Sequence, residues 1–281
     1  MIRRQARGRR ALDLVVKGAS ILAALIGIAA LVWILAVVLQ RGAAALSGTF
    51  FTELPTPPGV PGGGLRNAIL GTIYMTALAA LIGIPTGILA GVYLAEHGQH
   101  SILGAAVRFA SNVLMGVPSI IIGLFVYGLV VVRTGHFSGF AGTIALAIIM
   151  LPVVARTTED MLLLVPSSLR ESALALGAPR WRVTTSVVFR AAKAGLITGT
   201  LLALARVSGE TAPLLFTALN SPFAVESLNE PTANLTVTIF NYAMSPYEDW
   251  QRMAWGAALL ITMAVLAVTI LARAILKEAK R

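Results

Sequence analysis

Six long apolar runs constrain this chain more than any other feature. They cover about 19–40, 68–94, 109–132, 141–163, 194–219 and 253–275. An α-helix needs about 20 mainly apolar residues to cross the hydrocarbon core of a bilayer. Within lipid, only helices and closed barrels satisfy all of their own backbone hydrogen bonds. Runs of this length therefore predict an all-α fold with six transmembrane helices in a lipid bilayer.

The composition agrees with a membrane protein and excludes other classes. Hydrophobic residues make up 57% of the 281 residues and charged residues only 12%, whereas soluble domains carry about 25% charged residues. The chain has no cysteine, which excludes disulfides and thiolate metal sites. The net charge is +10, but the basic residues cluster at the ends of the apolar runs. That pattern is typical of membrane topology, so we expect no nucleic-acid partner.

The basic residues also predict the orientation of the chain. The first run is longer than the roughly 7–15 apolar residues of a signal-peptide core, so we interpret it as a retained span. By the positive-inside rule, the side with more Lys and Arg is cytoplasmic. That side holds both termini and the segments around Arg108 and 170–193. The other side holds Arg41, Arg66, Arg133 and Arg252.

Glycines recur every fourth position in the second run, at Gly83, Gly87 and Gly91. Such a stripe lets another helix approach closely. Two interpretations remain open, a wall or gate of a transport path and ordinary helix packing. Packing is favoured, because small-residue faces mostly serve it.

A polar segment between the fourth and fifth runs, 166–195, reads as a short helix, a turn and an Arg-rich helix. Gly177 is suited to the positive φ that ends a helix, and Pro179 prevents its continuation. A short amphipathic helix of this kind docks into a groove of a partner or rests on lipid headgroups. Its many alanines favour the partner.

The same segment carries a motif. Glu171, Ser172 and Ala173, followed by Gly177, resemble the EAA loop of bacterial ABC-importer membrane subunits. Ser172 stands where that motif usually has alanine, a change of one small residue for another. The resemblance implies that these four residues form a coupling helix that inserts into a separate ATPase subunit.

Charges within the fifth run are a second signal. Arg206 and Glu210 are four residues apart, a spacing that places them on one helix face. Arg206 follows Lys193 by 13 residues, or roughly 20 Å of helix, which puts it near mid-membrane. A charge at that depth is costly and indicates a functional site. Gly209 and Pro213 flank Glu210 and predict local irregularity.

The stretches ARVSGETAPLLFTAL and LPVVARTTEDMLLLVPSSLRESALALGAPRWR closely resemble the PstA-type phosphate permeases, over most of 67–275. The resemblance implies the type I ABC importer (MetI-like) fold and a bacterial inner-membrane location. It also marks Arg156 and Glu159 in the fourth span, which are three residues apart and share a face. The implied partners are a second permease (PstC-like), an ATPase dimer (PstB-like), a phosphate-binding protein (PstS-like) and phosphate itself.

The apolar runs, the charge distribution and the resemblance together divide the chain into four parts. These are a cytoplasmic basic N-terminus (1–18), a first transmembrane helix with a periplasmic loop (19–66), the importer domain (67–275, with a coupling loop at 166–193) and a cytoplasmic tail (276–281).

The residue chemistry is compatible with an oxyanion. Guanidinium groups match oxyanion oxygens in pairs, so Arg156 and Arg206 offer stations at two depths. Glu159 and Glu210 would keep each station near neutral and phosphate loosely held. The alternative is that each Arg–Glu pair locks helices together.

Other site types find little support. There is no Gly-x-x-x-x-Gly-Lys-Ser/Thr motif, so ATP binding belongs to another chain. His97 and His100 lack a third metal ligand. We expect no catalytic residue, cofactor or metal. The alternatives are a permease for molybdate or sulfate, an ion-driven transporter and, least favoured, an intramembrane enzyme.

Overall fold

Helices account for all the regular structure between residues 2 and 278, the part of the chain whose backbone the computed structural model describes; side chains are described for residues 13–274. The short helices are α2 (Gly48–Thr52), α4 (Ile102–Gly116), α7 (Ser167–Ala175), α9 (Ala212–Leu215) and α10 (Leu235–Ala243). The longer ones are α1 (Ile2–Ala43), α3 (Arg66–Glu96), α5 (Ser119–Thr134), α6 (Gly139–Leu163), α8 (Arg180–Ser208) and α11 (Glu248–Glu278).

Five of these helices, α1, α3, α6, α8 and α11, are long and apolar enough to cross a membrane. The number is six if α4 and α5 together form one span. The third apolar run, 109–132, is therefore divided between two helices bent by 104°. The break lies at Val117 and Pro118, whose backbones are extended. Proline cannot donate a backbone hydrogen bond and disfavours a helical residue before it. The all-α prediction is confirmed.

The fifth span differs from its predicted bounds of 194–219. Helix α8 already begins at Arg180, so the Arg-rich segment is its first part, joined through a π-helical turn at Val183–Val188. It ends at Ser208. The backbone N–H groups of Gly209 and Glu210 then donate to carbonyls three residues earlier, those of Arg206 and Val207. The fifth apolar run is therefore not one helix through residue 219, and the local irregularity predicted from Gly209 and Pro213 is confirmed.

The glycine stripe of α3 packs against α6, the helix with the largest buried share among the candidate spans. A Cβ atom on Gly87 would lie 2.7 Å from the Cβ of Val154, and one on Gly91 would lie 2.5 Å from the Cβ of Thr158. No side chain fits at that separation. The stripe therefore serves helix packing, as favoured from the sequence.

The bundle has two distinct ends. Helix α7 marks one end, called the α7 end here. The opposite, distal end is closed by the loop 209–234, which crosses the start of α6. The backbone N–H of Ser138 donates to Thr217 at 2.9 Å, and that of Gly139 donates to Glu230 at 3.1 Å. These bonds satisfy donors at the helix start that lack intrahelical partners.

Candidate functional site

Helix α7 presents an open surface at its end of the bundle. None of its residues is buried, and both Glu171 and Ser172 are exposed. Leu176, directly after the helix, is 89% exposed. Gly177 has a φ of +81°, which confirms that this glycine takes the positive φ needed to end the helix. Ala173 is half-buried and packs against the bundle, so the helix has one inner face and a broad outer face.

Arg170 fastens α7 to two membrane helices. Its Nη1 donates to the carbonyl of Val165 at 2.5 Å, and its Nη2 donates to that of Leu162 at 2.7 Å. The same Nη2 lies 3.1 Å from a carboxylate oxygen of Glu96, at the end of α3. Leu162 lies in the last turn of α6 and Val165 two residues beyond its end, so the guanidinium holds α7 to the C-terminal end of α6. A displacement of α7 is thereby linked to the ends of α3 and α6.

Glu159 lies between two guanidinium groups inside the bundle. It is 1% exposed. One carboxylate oxygen accepts from Nε of Arg108 at 2.5 Å, and the other accepts from Nη1 of Arg156 at 2.9 Å. Arg108 also donates to the carbonyls of Leu94 and Gly98, at 2.9 and 3.1 Å. This network joins α4, α6 and the end of α3, and it supplies the partners without which burial of the carboxylate would be strongly unfavourable.

The cluster around Glu159 is electrically balanced. Asp160 lies 3.5 Å from Nε of Arg156, and both side chains are partly exposed, 49% and 40%. Two guanidinium groups and two carboxylates therefore share the site. Within residues 13–274, Nη2 of Arg156 makes no hydrogen bond. Arg156 thus keeps donors for an anion, although its carboxylate partners compete for them.

Arg206 has a different setting. It lies in the last turn of α8, is exposed, and makes no ion pair or side-chain hydrogen bond within residues 13–274. The prediction that Arg206 and Glu210 share a helix face is wrong, because α8 ends at Ser208. The carbonyl of Glu210 instead accepts from the Thr236 hydroxyl at 2.7 Å. Arg206 therefore offers all of its guanidinium donors to an external group.

The packing of α8 on α6 gives the depth of Arg206. Gly195 faces Met161 and Gly199 faces Thr157, so the two helices run antiparallel. Arg206 is seven residues beyond Gly199, about 10 Å along the axis and on nearly the same face. It is therefore level with about residue 150, close to the middle of α6, and it lies about 10 Å from the level of Arg156.

Two arginines that organise the site were missed by the sequence reasoning. Arg108 and Arg170 were both interpreted only as cytoplasmic charges that orient the chain. A signal existed for Arg108, since a lone cation among apolar residues of a membrane segment needs a partner. Nothing in the spacing indicated that Arg170 caps the end of α6.

Comparison with known proteins identifies the family of this chain. Residues 83–279 match the family described as "Binding-protein-dependent transport system inner membrane component". A phosphate transport system permease protein PstA of Yersinia pestis is 51% identical over 256 residues, covering 91% of this chain and 87% of the relative. A probable PstA of Methanocaldococcus jannaschii is 38% identical over 246 residues, covering 87% and 83%.

Solved structures support the fold. A chain from the MetNI methionine ABC transporter in inward-facing conformations superposes with a TM-score of 0.62 at 21% identity, covering 77% of this chain and 96% of that one. An amino acid ABC transporter gives a TM-score of 0.56 at 18% identity. With these neighbours, the importer-permease fold expected from the sequence is confirmed. The chain belongs to the family of binding-protein-dependent transport system inner membrane components and, within it, to the PstA permeases.

Proposed function

We propose that this chain is the membrane-spanning permease subunit of an ATP-driven importer of inorganic phosphate. The observation that carries the proposal is Arg206, an exposed guanidinium without an ion pair in the described residues, level with the middle of α6. Placing a charge at that depth in the membrane is energetically costly, so a charged residue there usually marks a functional site. The names of the relatives supply the cargo, because they are phosphate permeases.

Phosphate would pass two guanidinium stations on its way through the bundle. Arg206 would bind it without competition, whereas Arg156 would exchange it against Glu159 and Asp160. Guanidinium offers paired donors to two oxyanion oxygens. Conduction needs sites that bind weakly enough to release, and nearby carboxylates weaken anion binding. The carbonyl of Glu210 accepts from the Thr236 hydroxyl, and within residues 13–274 its carboxylate forms no ion pair with Arg206.

Energy would come from a separate ATPase docked on α7. The chain has no P-loop motif, and the exposed residues Glu171, Ser172 and Leu176 form a surface suited to a partner's groove. We place both termini and α7 in the cytoplasm by the positive-inside rule. A second permease, an ATPase dimer and an external phosphate-binding protein would complete the importer.

Transport by the reconstituted complex tests the cargo and the energy source. Labelled phosphate should accumulate in proteoliposomes only with ATP, and an excess of sulfate or molybdate should leave that accumulation largely unchanged. Strong competition by molybdate or sulfate would assign the chain to another oxyanion. Accumulation without ATP, driven by an ion gradient, would contradict the ATPase partnership.

A charge reversal on α7 tests the coupling. Glu171→Lys should abolish co-purification of the ATPase and ATP-driven uptake. Glu226→Lys, which reverses another exposed carboxylate in the loop 209–234, is the matched control and should retain both. An intact complex with Glu171→Lys would remove this residue from the docking surface.

A further inference from the structure

A groove of about 470 Å³ runs between α3 and α8, and we call it the α3–α8 groove. Helix α3 contributes Ile84 and Ile88, and helix α8 contributes Arg190, Lys193 and Ile197. The volume falls within the range of roughly 300–1,000 Å³ typical of ligand sites. Among the described residues, its lining includes neither the α7 motif nor the two proposed phosphate stations.

The charged and apolar side chains occupy separate parts of the α3–α8 groove. Arg190, Lys193 and Ile197 follow the spacing i, i+3 and i+7, so they share one face of α8. Because α8 starts at the α7 end, the two cations lie at that end and Ile197 lies deeper. Ile84 and Ile88 are four residues apart and share one face of α3. The groove is therefore basic at one end and apolar along its length.

The length of the groove fits one leaflet of a bilayer. Gly91 of α3 and Gly199 of α8 both face neighbouring threonines of α6, so they lie at about the same depth. Ile84 is seven residues from Gly91 toward the distal end, and Lys193 is six residues from Gly199 toward the α7 end. These steps add up to about 20 Å along the axis. The hydrocarbon core is about 30 Å thick, so the groove spans roughly one leaflet and its headgroup layer.

The two cations are available to a ligand. Arg190 and Lys193 are exposed, and neither forms an ion pair or a side-chain hydrogen bond within residues 13–274. No Asp or Glu is among the described residues that line the groove. The Thr200 hydroxyl, in the apolar part, already donates to carbonyls of its own helix. Two positive charges at the mouth thus lack a counter-charge.

We propose that the α3–α8 groove binds an anionic phospholipid, with its phosphate between Arg190 and Lys193 and an acyl chain along the isoleucines. Both cations donate charge-assisted hydrogen bonds to phosphate oxygens. Basic pockets between membrane helices on the cytoplasmic side bind anionic headgroups, and the proposed cytoplasmic placement of α7 puts the cations on that side. Burial of the acyl chain adds a hydrophobic contribution that a soluble anion lacks. The lipid site does not depend on which solute the chain transports.

Two lipids with the same acyl chains test the proposal on the full chain purified in detergent. Native mass spectrometry measures the binding of dioleoylphosphatidylglycerol, which is anionic, and dioleoylphosphatidylcholine, which is zwitterionic. The anionic lipid should bind at least about tenfold more tightly. A large excess of glycerol phosphate, the headgroup anion without chains, or of inorganic phosphate should not displace it. Equal binding of both lipids would overturn the proposal, and displacement by either soluble anion would assign the cations to a soluble ligand instead.

A double variant locates the site. Arg190→Gln combined with Lys193→Gln should weaken phosphatidylglycerol binding at least about tenfold. The unfolding temperature without lipid should not change, because neither side chain forms an ion pair in the described part of the chain. Arg180→Gln combined with Arg182→Gln is the matched control, since it removes the same charge from exposed positions of the same helix outside the groove. Equal losses in the two double variants, or no loss in the first, would contradict the assignment.

The assembled complex separates a lipid from a protein occupant. The preference for phosphatidylglycerol, and its loss with the Arg190 and Lys193 double variant, should persist when the second permease and the ATPase are bound. Loss of the preference on assembly would show that another subunit covers the α3–α8 groove, and it would overturn the lipid site.

Discussion

Arg156 and Arg206 belong to the same proposed path but are held in opposite ways. Arg156 pairs with a carboxylate that is 1% exposed and that also pairs with Arg108. Arg206 lies at an interrupted helix end and has no ion pair within residues 13–274. The carboxylate that pairs with Arg156 also joins α6 to α4 through Arg108, whereas an unpaired guanidinium contributes little to the fold. The comparison separates structural from functional effects of charge.

The largest expected effect is at the Arg156 site. Glu159→Ala leaves two guanidinium groups without their carboxylate, and breaking a buried pair costs about 3–5 kcal/mol. We expect a markedly lower unfolding temperature of the purified complex, in addition to lost transport. Thermal unfolding of the purified complex in detergent measures the change in unfolding temperature. An unchanged unfolding temperature would show that the cluster does not hold α4 to α6.

The second effect is at Arg206. Arg206→Gln should reduce phosphate uptake at least about tenfold, equivalent to about 1.4 kcal/mol, without lowering the unfolding temperature or disrupting assembly. Arg252→Gln is the control, since Arg252 is also exposed and lies outside the proposed path. Normal uptake with Arg206→Gln would remove this residue from the mechanism.

A smaller effect distinguishes charge from geometry. Arg206→Lys keeps the positive charge but loses the planar pair of donors. Uptake should fall by about two- to fivefold, less than with glutamine, because part of the interaction is lost. If Arg206→Lys and Arg206→Gln reduce uptake equally, transport depends on the paired donors of the guanidinium group and the positive charge alone does not support it. Concentration-dependent uptake in proteoliposomes gives both values.

The smallest effect is expected at Asp160. Its side chain is 49% exposed and 3.5 Å from Arg156, and exposed ion pairs contribute about 0–1 kcal/mol. Asp160→Asn should therefore leave the unfolding temperature within a degree or two, in contrast to Glu159→Ala at the next position. A large loss of stability would mean that the two carboxylates act as one unit.

Much of the site could be predicted from local spacing. Arg156 and Glu159 are three residues apart in one helix and do form an ion pair. Gly177 has the positive φ expected of a helix-ending glycine. The prediction that Arg206 and Glu210 share a helix face was wrong, because a four-residue spacing brings side chains together only within an unbroken helix.

The sequence by itself determined the helical, membrane-embedded class, because apolar runs of this length leave the backbone few other ways to satisfy its hydrogen bonds in lipid. It also determined the exposed α7 motif and the family resemblance. Only the tertiary structure decided that Arg108 reaches Glu159, that Arg170 reaches Glu96, and that Asn67 donates to the carbonyl of Ser221. Those contacts join residues 51, 74 and 154 positions apart, and residues so distant in sequence meet only through the packing of the helices.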